Sequence, residues 1–342
     1  MSGRLPNRLG ALALSLAAAT GLWGHAAAAP CGGPAEVSRV VLMTDWLPVT
    51  LSQGPFWEAQ LRGYYKDEGF DVELIAPANP ADPIKLVARE RVNFSLTYVP
   101  EVLMSRDTGI PVVAIATTLR KIVSGLTSLD ESGISSPADL KGKTVGQNVK
   151  MDAQAYLDTI LADGGLGRDD VKVIDPGYAG ISLALAGKVH AFHSLHYGEW
   201  MMINMELAKM GKKPARFLAY TDHGVPQFYY QLIVGNENWI ERNPHATCRF
   251  LRASRKGLET WLEDADSLAI QHAIKANDIF TEAMHRESER LAKPDWVAAD
   301  GTIFHQVEGP WETARDWAMK YKLISVGDDP GTYFTNAYIP WE

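Results

Sequence analysis

The chain has few cysteines, no long apolar stretch beyond its N-terminus and no run of basic residues. Its two cysteines leave room for one disulfide at most. Beyond residue 30, no segment holds about 18 uninterrupted apolar residues, the length that a transmembrane helix needs. The 41 acidic side chains outnumber the 33 basic ones, and the formal net charge of −8 argues against nucleic acid as a partner. We therefore expect a soluble globular protein of one large or two medium domains.

The N-terminus has the three parts of a secretory signal peptide. Arg4 and Arg8 precede the apolar run LGALALSLAAATGLWG, and a series of alanines follows that run. Ala26–Ala28 is the best cleavage motif, because cutting after Ala29 would place Pro30 just beyond the scissile bond. The alternative is an anchoring helix, but the run is short for a membrane span. The sequence thus predicts a signal peptide over residues 1–28 and a periplasmic mature protein.

Both cysteines, Cys31 and Cys248, remain after that cleavage. In an oxidising compartment such a pair can form a disulfide. Alternatively, Cys248 is simply a buried residue of the helical pattern over residues 244–261. The sequence leaves both interpretations open.

Strand patterns alternate with helical patterns along two successive stretches of the chain. The first stretch, over residues 39–119, holds four apolar strand patterns separated by three amphipathic helical patterns. A second series opens at Ser136 and runs to about residue 235, and the pattern from residue 237 onward is largely helical. Alternation at this spacing predicts βαβ units and parallel sheets, and hence an α/β fold.

Two segments, 92–104 and 189–202, share a plan of strand, polar and aromatic turn, and helix start with a glutamate. The aligned pairs are Val92 with Val189, Thr97 with Ser194 and, one inserted residue later, Glu101 with Glu199. Ligands in open α/β sheets bind beyond the carboxyl ends of the strands. The repeat therefore predicts two similar units that face a shared cleft.

The stretch HAFHSLHYGEW, residues 190–200, sets three histidines at spacings of three. On a strand the first and third would face one side and the second the other, and on a helix each step of three drifts by about 60°. Neither geometry favours zinc, and the chain has no H-E-x-x-H motif. We expect His190 and His193 to be hydrogen-bonded core or edge residues. Past the strand end, where the cleft would be, come His196, Tyr197 and Glu199.

Several stretches resemble the solute-binding proteins of ABC importers, in particular the branch that binds pyrimidine precursors of thiamine. They include VVLMTDWLP, TYVPEV, SPADLKGKTVG, ALAGKVHA and the closing YFTNAYIP. The resemblance covers nearly all of residues 37–342 and extends to the eukaryotic thiamine-pyrimidine synthase and, more distantly, to aliphatic-sulfonate binders. This chain departs from the branch where it has VTLSQGPFW instead of an Asn and a His, and GQNVKM instead of a glycine-rich stretch.

The resemblance implies a type II periplasmic-binding-protein-like fold, in which two α/β lobes joined by hinge strands surround a central cleft. One lobe would comprise residues 37–120 plus 232–342, and the other residues 121–231. The implied partners are a small-molecule ligand and an inner-membrane ABC permease. We expect a monomer that needs no cofactor.

An aminopyrimidine offers a flat π-face and an edge of alternating donors and acceptors. Aromatic rings suit the face, a carboxylate can accept from the exocyclic amine and a protonated ring nitrogen, and an Asn or Gln amide can pair with the neutral ring. Candidates for the face are Trp46, Tyr98, Tyr197 and Tyr229, and candidates for the edge are Asp45, Glu101, Glu199, Gln147 and Asn148, with His196 beside them.

Each candidate also has a structural interpretation. The aromatic residues could belong to the core, the glutamates could be acids favoured in the first turn of a helix, and Asp45 could cap the turn that follows it. Because FYYQL alternates faces as a strand, only one of Tyr229 and Tyr230 can face a cleft. The segment ESERLAK, residues 287–293, is expected to be a solvated charged face.

The sequence therefore predicts a secreted binding protein for a thiamine pyrimidine precursor, and not an enzyme. One alternative is an enzyme like the pyrimidine synthase, whose cysteine-rich motif has no counterpart here. Another is a binding protein for an aliphatic sulfonate, taurine or riboflavin. A sulfonate would call for arginines or helix N-termini, whereas the expected cleft is acidic and aromatic.

Overall fold

The computed structural model describes residues 31–46, 51–148, 151–276 and 280–339. The predicted signal peptide lies outside these residues and stays a prediction. Within the described ranges, no helix combines the length and the apolar character needed to span a membrane.

Ten strands and twelve α-helices are found among these residues. The strands are β1 Arg39–Met43, β2 Asp71–Ile75, β3 Phe94–Tyr98, β4 Val112–Leu119, β5 Ser124–Ser128, β6 Thr144–Gly146, β7 Lys172–Ile174, β8 Ala191–Leu195, β9 Arg216–Ala219 and β10 Gln231–Asn236. The helices are α1 Gly54–Leu61, α2 Tyr64–Asp67, α3 Asp82–Ala88, α4 Val99–Asp107, α5 Met151–Asp163, α6 Gly180–Leu185, α7 Met201–Lys209, α8 Glu237–Arg242, α9 Pro244–Glu263, α10 Leu268–Ala276, α11 Glu282–Ala292 and α12 Glu308–Lys320.

The strands form two five-stranded sheets with the same plan. The first has the order β2-β1-β3-β10-β4 and the second the order β7-β6-β8-β5-β9. In each sheet the first three strands are parallel, and the fourth is antiparallel to both of its neighbours. The repeated segments end in equivalent places, because β3 and β8 are the central strands of their sheets.

The sheets are mixed, whereas the strand–helix alternation predicted parallel sheets. The departure follows from the path of the chain between the two sheets. Strand β4 leads out of the first sheet towards the second through residues 120–123, and β10 returns to the first sheet after residues 220–230. Two neighbouring strands that carry the chain in opposite directions must pair antiparallel. The limits of the two predicted lobes stay a prediction.

Local sequence explains where the elements begin and end. The first amphipathic helical pattern, over residues 54–69, forms two helices, α1 and α2, because Gly63 between them has a φ of +79°. That left-handed backbone breaks the helix and favours glycine. Strands β3, β4 and β10 are buried along their whole length, so the polar residues within them, such as Ser95 and Thr97 of β3, are buried as well.

A disulfide joins Cys31 to Cys248, with 5.4 Å between the Cα atoms. The segment that follows Cys31 is held at the same place. Glu36 accepts hydrogen bonds from the backbone N–H groups of His245 and Ala246, at 3.0 and 2.8 Å, in the first turn of α9. Of the two interpretations that the sequence left open, the structure has the paired one, and it ties the start of the described chain to α9.

Candidate functional site

A cavity of about 830 Å³, counted out to its mouth, lies between the strand ends of the two sheets. Residues after β1, at the end of β3 and before β10 form its wall on the first sheet. Residues of β8, of the turn after β8 and after β6 form its wall on the second sheet, and α11 closes a third side. The described lining residues are Asp45, Trp46, Ser52, Tyr98, Asn148, Ala153, His193, Leu195, Tyr197, Gly198, Glu199, Met202, Tyr230, Phe280, Met284, His285 and Ser288.

Asp45 is fixed in the wall of the first sheet by two hydroxyl groups. The Tyr98 hydroxyl donates to Oδ2 of Asp45 at 2.5 Å, and Ser52 Oγ donates to Oδ1 at 3.4 Å. The ring of Tyr98 also lies 4.8 Å from the ring of Tyr230. Because β1 and β3 are adjacent and parallel, their carboxyl ends place an acid and an aromatic ring side by side.

The wall of the second sheet is built by a turn with one extra residue. His196–Trp200 forms a π turn between β8 and α7, and Gly198 within it has non-helical torsion angles. Glu199 is oriented by the backbone N–H of Leu195, which donates to Oε2 at 3.0 Å. The inserted residue that separates the two aligned sequence segments therefore corresponds to this kinked turn.

Tyr197 presents a buried hydroxyl to the cavity. The residue is 3% exposed, and its hydroxyl has no hydrogen-bond partner among the described residues. Burial raises the pKa of Tyr197 well above its usual value, and the negative charges of Asp295, Asp45 and Glu199 raise it further. The hydroxyl therefore stays protonated at physiological pH and is available both to donate and to accept.

The structure brings together six of the ten residues that the sequence nominated. Those that line the cavity are Asp45, Trp46, Tyr98, Asn148, Tyr197 and Glu199. They come from both sheets, and they supply two carboxylates, three aromatic rings and one amide. Whether they contact a ligand stays a prediction.

Two other candidates, Glu101 and Gln147, are buried but do not line the cavity. The Glu101 carboxylate lies in the first turn of α4 and accepts a hydrogen bond from the side chain of Thr97. The Gln147 amide donates to the backbone carbonyl of Ala153. Glu101 therefore fits the interpretation of a first-turn acid, and both side chains bond within the protein.

The last two candidates, His196 and Tyr229, also point elsewhere. His196 is exposed and stacks on Trp200, with ring centroids 4.5 Å apart. The Tyr229 hydroxyl accepts from the backbone N–H of Val307 at 3.0 Å. Tyr230 lines the cavity in its place. The sequence required that only one of these two tyrosines face a cleft, but it could not say which one.

Helix α11 contributes lining residues that sequence reasoning did not nominate. Met284, His285 and Ser288 reach the cavity from this helix. The segment 287–293 was expected to be a solvated face, but Ser288 and Glu289 are each 3% exposed. Glu289 is paired with Lys293 at 3.0 Å. The signal in the sequence was the four-residue spacing of Met284 and Ser288 on the helix, which extends back to Phe280 just before it.

His193 of β8 also lines the cavity, although the sequence did not nominate it as a ligand contact. Its Nδ1 lies 3.0 Å from the hydroxyl of Tyr220, so it is hydrogen-bonded as expected. Within the described ranges, no group of three or more His, Cys, Asp or Glu side chains is arranged to hold a metal ion.

The chemistry of the lining favours a flat, nitrogen-bearing ligand. Its charged residues are the acids Asp45 and Glu199, and none of the described lining residues is a lysine or an arginine. Aromatic rings can pack on the faces of a planar ring, and carboxylates can accept hydrogen bonds from its amino groups. An anionic ligand would meet two acids and no described lysine or arginine.

Comparisons with known proteins agree with this picture. A family model described as NMT1/THI5 like matches residues 52–267. A formylaminopyrimidine-binding protein of Halalkalibacterium halodurans is 27% identical over 284 residues, which are 82% of this chain and 84% of that protein. The 4-amino-5-hydroxymethyl-2-methylpyrimidine phosphate synthase THI13 of Saccharomyces cerevisiae is 22% identical over 312 residues, which are 90% of this chain and 89% of the synthase.

Solved structures share the fold at low sequence identity. The alkanesulfonate-binding protein SsuA of Xanthomonas axonopodis pv. citri has a TM-score of 0.66 at 13% identity, and the match covers 88% of this chain and 99% of SsuA. A Candida albicans protein described as having the generic periplasmic binding protein fold has a TM-score of 0.61 at 12% identity, covering 88% of this chain and 96% of that one. The predicted fold class is confirmed: two α/β sheets in the periplasmic binding protein fold.

Proposed function

We propose, from the premise that this chain belongs to the NMT1/THI5-like family, that it is the solute-binding component of an ABC importer and captures a thiamine pyrimidine precursor. The observation that carries the proposal is the composition of the cavity. Asp45 lines it on the side of the first sheet and Glu199 on the side of the second, and aromatic rings lie among them. The relative that binds formylaminopyrimidine supports the same class of ligand.

The ligand would be held by its face and by its edge. Trp46, Tyr98 and Tyr197 supply aromatic surface, and the carboxylates of Asp45 and Glu199 accept from the exocyclic amine and from a protonated ring nitrogen. Both acids have one or more oxygens fixed by hydrogen bonds from the protein, so they are oriented before the ligand arrives. Such preorganisation reduces the entropy lost on binding.

Binding would be coupled to closure of two lobes, residues 37–120 plus 232–342 and residues 121–231. Each lobe alone offers half of the contacts, because the lining residues come from both sheets. A ligand that touches both halves binds the closed state better than the open one and shifts the population towards it. A membrane permease would then recognise the closed state and accept the solute.

The protein would act in the periplasm after removal of a signal peptide over residues 1–28. The pairing of Cys31 with Cys248 supports an oxidising compartment, since cytosolic glutathione and thioredoxin keep most thiols reduced. A periplasmic location also agrees with the SsuA protein of Escherichia coli, which shares the fold and is described as periplasmic.

The similarity to yeast synthases favours one alternative, an enzyme that makes the pyrimidine instead of binding it. Against this alternative, the chain has only two cysteines and both belong to the disulfide, so no cysteine-rich motif is present. The similarity to SsuA favours a second alternative, a binding protein for sulfonates. The two acids of the cavity oppose an anionic ligand.

Calorimetry and X-ray scattering on the purified protein test the proposal together. We expect heat of binding and a smaller radius of gyration with 4-amino-5-aminomethyl-2-methylpyrimidine and its N-formyl derivative, and neither response with taurine or an alkanesulfonate. A response to the sulfonates alone would support the second alternative. Turnover of a ligand would support the enzyme. No heat and no compaction with any pyrimidine would overturn the proposal.

A further inference from the structure

A smaller pocket of about 280 Å³ opens beside the main cavity. The two spaces share Trp46, Asn148, His193 and Glu199, so they are continuous along one wall. The far wall of the side pocket comes from the loop between β7 and α6 and consists of Pro176, Gly177, Tyr178 and Gly180. A ligand that fills the main cavity with its ring therefore has room for a short substituent in this direction.

Two aromatic rings narrow the side pocket. The rings of Trp46 and Tyr178 meet edge to face, with centroids 4.8 Å apart. Trp46 follows β1 of the first sheet, whereas Tyr178 follows β7 of the second sheet. The space between the sheets is thus bounded here by large rigid side chains, which admit a substituent of a few atoms and exclude a bulky one.

Asn148 stands where the two spaces meet, and its carbonyl oxygen is unused. The residue is 5% exposed, and Oδ1 has no hydrogen-bond partner among the described residues. A buried acceptor without a partner is costly, and such atoms are rare in folded proteins. The backbone of Asn148 is itself held in place, because Gln154 Nε2 donates to its carbonyl at 2.7 Å. The side chain therefore offers an acceptor from an anchored backbone, and it lines both spaces.

We infer that the ligand carries, beside its flat ring, a short non-anionic tail whose N–H or O–H donates a hydrogen bond to Oδ1 of Asn148. A carbonyl oxygen can only accept, so it recognises a donor and rejects an isosteric ether or ester oxygen at the same position. The tail is not anionic, since Glu199 lines the side pocket and none of its described lining residues is a lysine or an arginine. This inference rests on the proposed function. It makes Asn148 the residue that distinguishes pyrimidines whose tail has a hydrogen-bond donor from those whose tail has none.

Matched ligand pairs, in which only one member has a hydrogen-bond donor on its tail, test the inference. The first pair is the N-formylaminomethyl pyrimidine and its formate ester, in which oxygen replaces the N–H. The second pair is the hydroxymethyl and methoxymethyl pyrimidines. For the wild-type protein, we expect calorimetry to give at least about tenfold tighter binding of the donor-bearing member of each pair. Equal affinities within both pairs would overturn the inference without any variant.

Variants then test whether Asn148 causes the preference for the donor-bearing ligand. In Asn148→Ala the preference should fall below about twofold, whereas Asn148→Asp, which keeps an acceptor at the same place, should retain it. Tyr197→Phe is the matched control, because Tyr197 lines the main cavity and not the side pocket. It should weaken both members of each pair equally. Thermal unfolding of each variant shows that it is folded.

The outcomes separate the inference from the function on which it rests. If no pyrimidine binds, the proposed function fails. If all four pyrimidines bind but Asn148→Ala keeps the wild-type preference, the function stands and the inference is wrong. If the preference disappears only in Asn148→Ala, the inference is confirmed.

Discussion

The hydroxyl of Tyr98 donates a hydrogen bond to Oδ2 of Asp45 at 2.5 Å, and this bond joins the ends of two adjacent strands at the wall of the cavity. It orients a buried carboxylate that is 3% exposed. A charge-assisted bond of this kind is stronger than one between neutral groups. It also places a ring and an acid in a fixed relation, which is what recognition of a flat amino-substituted heterocycle requires.

Tyr98→Phe should weaken the binding of an aminomethylpyrimidine by about tenfold, because it removes a donor from a buried carboxylate and frees that carboxylate to rotate. Tyr229→Phe is a matched control, since Tyr229 is equally buried but its hydroxyl contacts Val307 outside the cavity. We expect less than a twofold change for the control. Calorimetry measures both, and equal losses would contradict a specific role of the Tyr98–Asp45 bond in binding.

Glu199→Gln should weaken a protonated pyrimidine at least about tenfold more than a neutral one of the same shape. The carboxylate pairs with a cationic ring through charge, whereas the amide offers only a neutral acceptor. Glu101→Gln is the control, because Glu101 occupies the aligned position of the internal repeat but bonds to Thr97 away from the cavity. Similar effects of Glu199→Gln on both ligands would contradict the charge pairing.

Tyr197→Phe should make the protein more resistant to alkaline unfolding. In the unfolded chain a tyrosine ionises near pH 10, whereas the folded protein raises the pKa of Tyr197 well above that value. Between these two pKa values the unfolded state binds fewer protons, so stability falls as pH rises, by about 1.4 kcal/mol per pH unit. Below pH 10 both states are protonated, and the residue adds no pH dependence.

Urea unfolding at pH 8 and pH 11 checks this expectation. The stability lost between the two pH values should be smaller by about 1 kcal/mol in Tyr197→Phe than in the wild type. Tyr64→Phe serves as the control, because Tyr64 is partly exposed and its hydroxyl is 3.2 Å from Thr260 Oγ1 at the surface. A loss in Tyr197→Phe as large as in the wild type would mean that the hydroxyl is hydrated or paired.

Replacing both cysteines by serine should lower the free energy of unfolding by about 2–4 kcal/mol and leave ligand affinity unchanged. The disulfide closes a long loop, because Cys31 and Cys248 are separated by 217 positions along the sequence, and neither cysteine lines the cavity. Denaturation with and without a reductant provides the check. Reduction should destabilise the wild type to the level of the double variant and should not affect that variant further.

The internal repeat shows how much of the cavity lining could be predicted from the sequence. It aligned Glu101 with Glu199, and the structure places both after the central strands of equivalent sheets, each bonded to the residue four positions earlier. Only Glu199 lines the cavity. The second segment has one more residue, and one residue turns the side chains that follow it by about 100° around a helix axis. An alignment of residue types does not give this rotation.

The sequence by itself determined the alternation of strands and helices, the plan of two similar units and the presence of a cavity at the strand ends. These features follow from local periodicity, from strand-ending residues such as Asp45 and Trp46, and from the rule that side chains gather at the carboxyl ends of parallel strands. Local patterns are enough here, because the residues that decide each of them lie within one turn or one strand.

Only the tertiary structure decided which faces meet. Alternation required one of Tyr229 and Tyr230 to face inward, but the choice depended on how β10 pairs between β3 and β4. Helix α11 brings His285 to a cavity whose other lining residues come from segments distant in the sequence. The charged residues of α11 gave no indication of this contact. Periodicity fixes which residues share a face. The packing of distant segments fixes what that face touches, and no local signal contains that information.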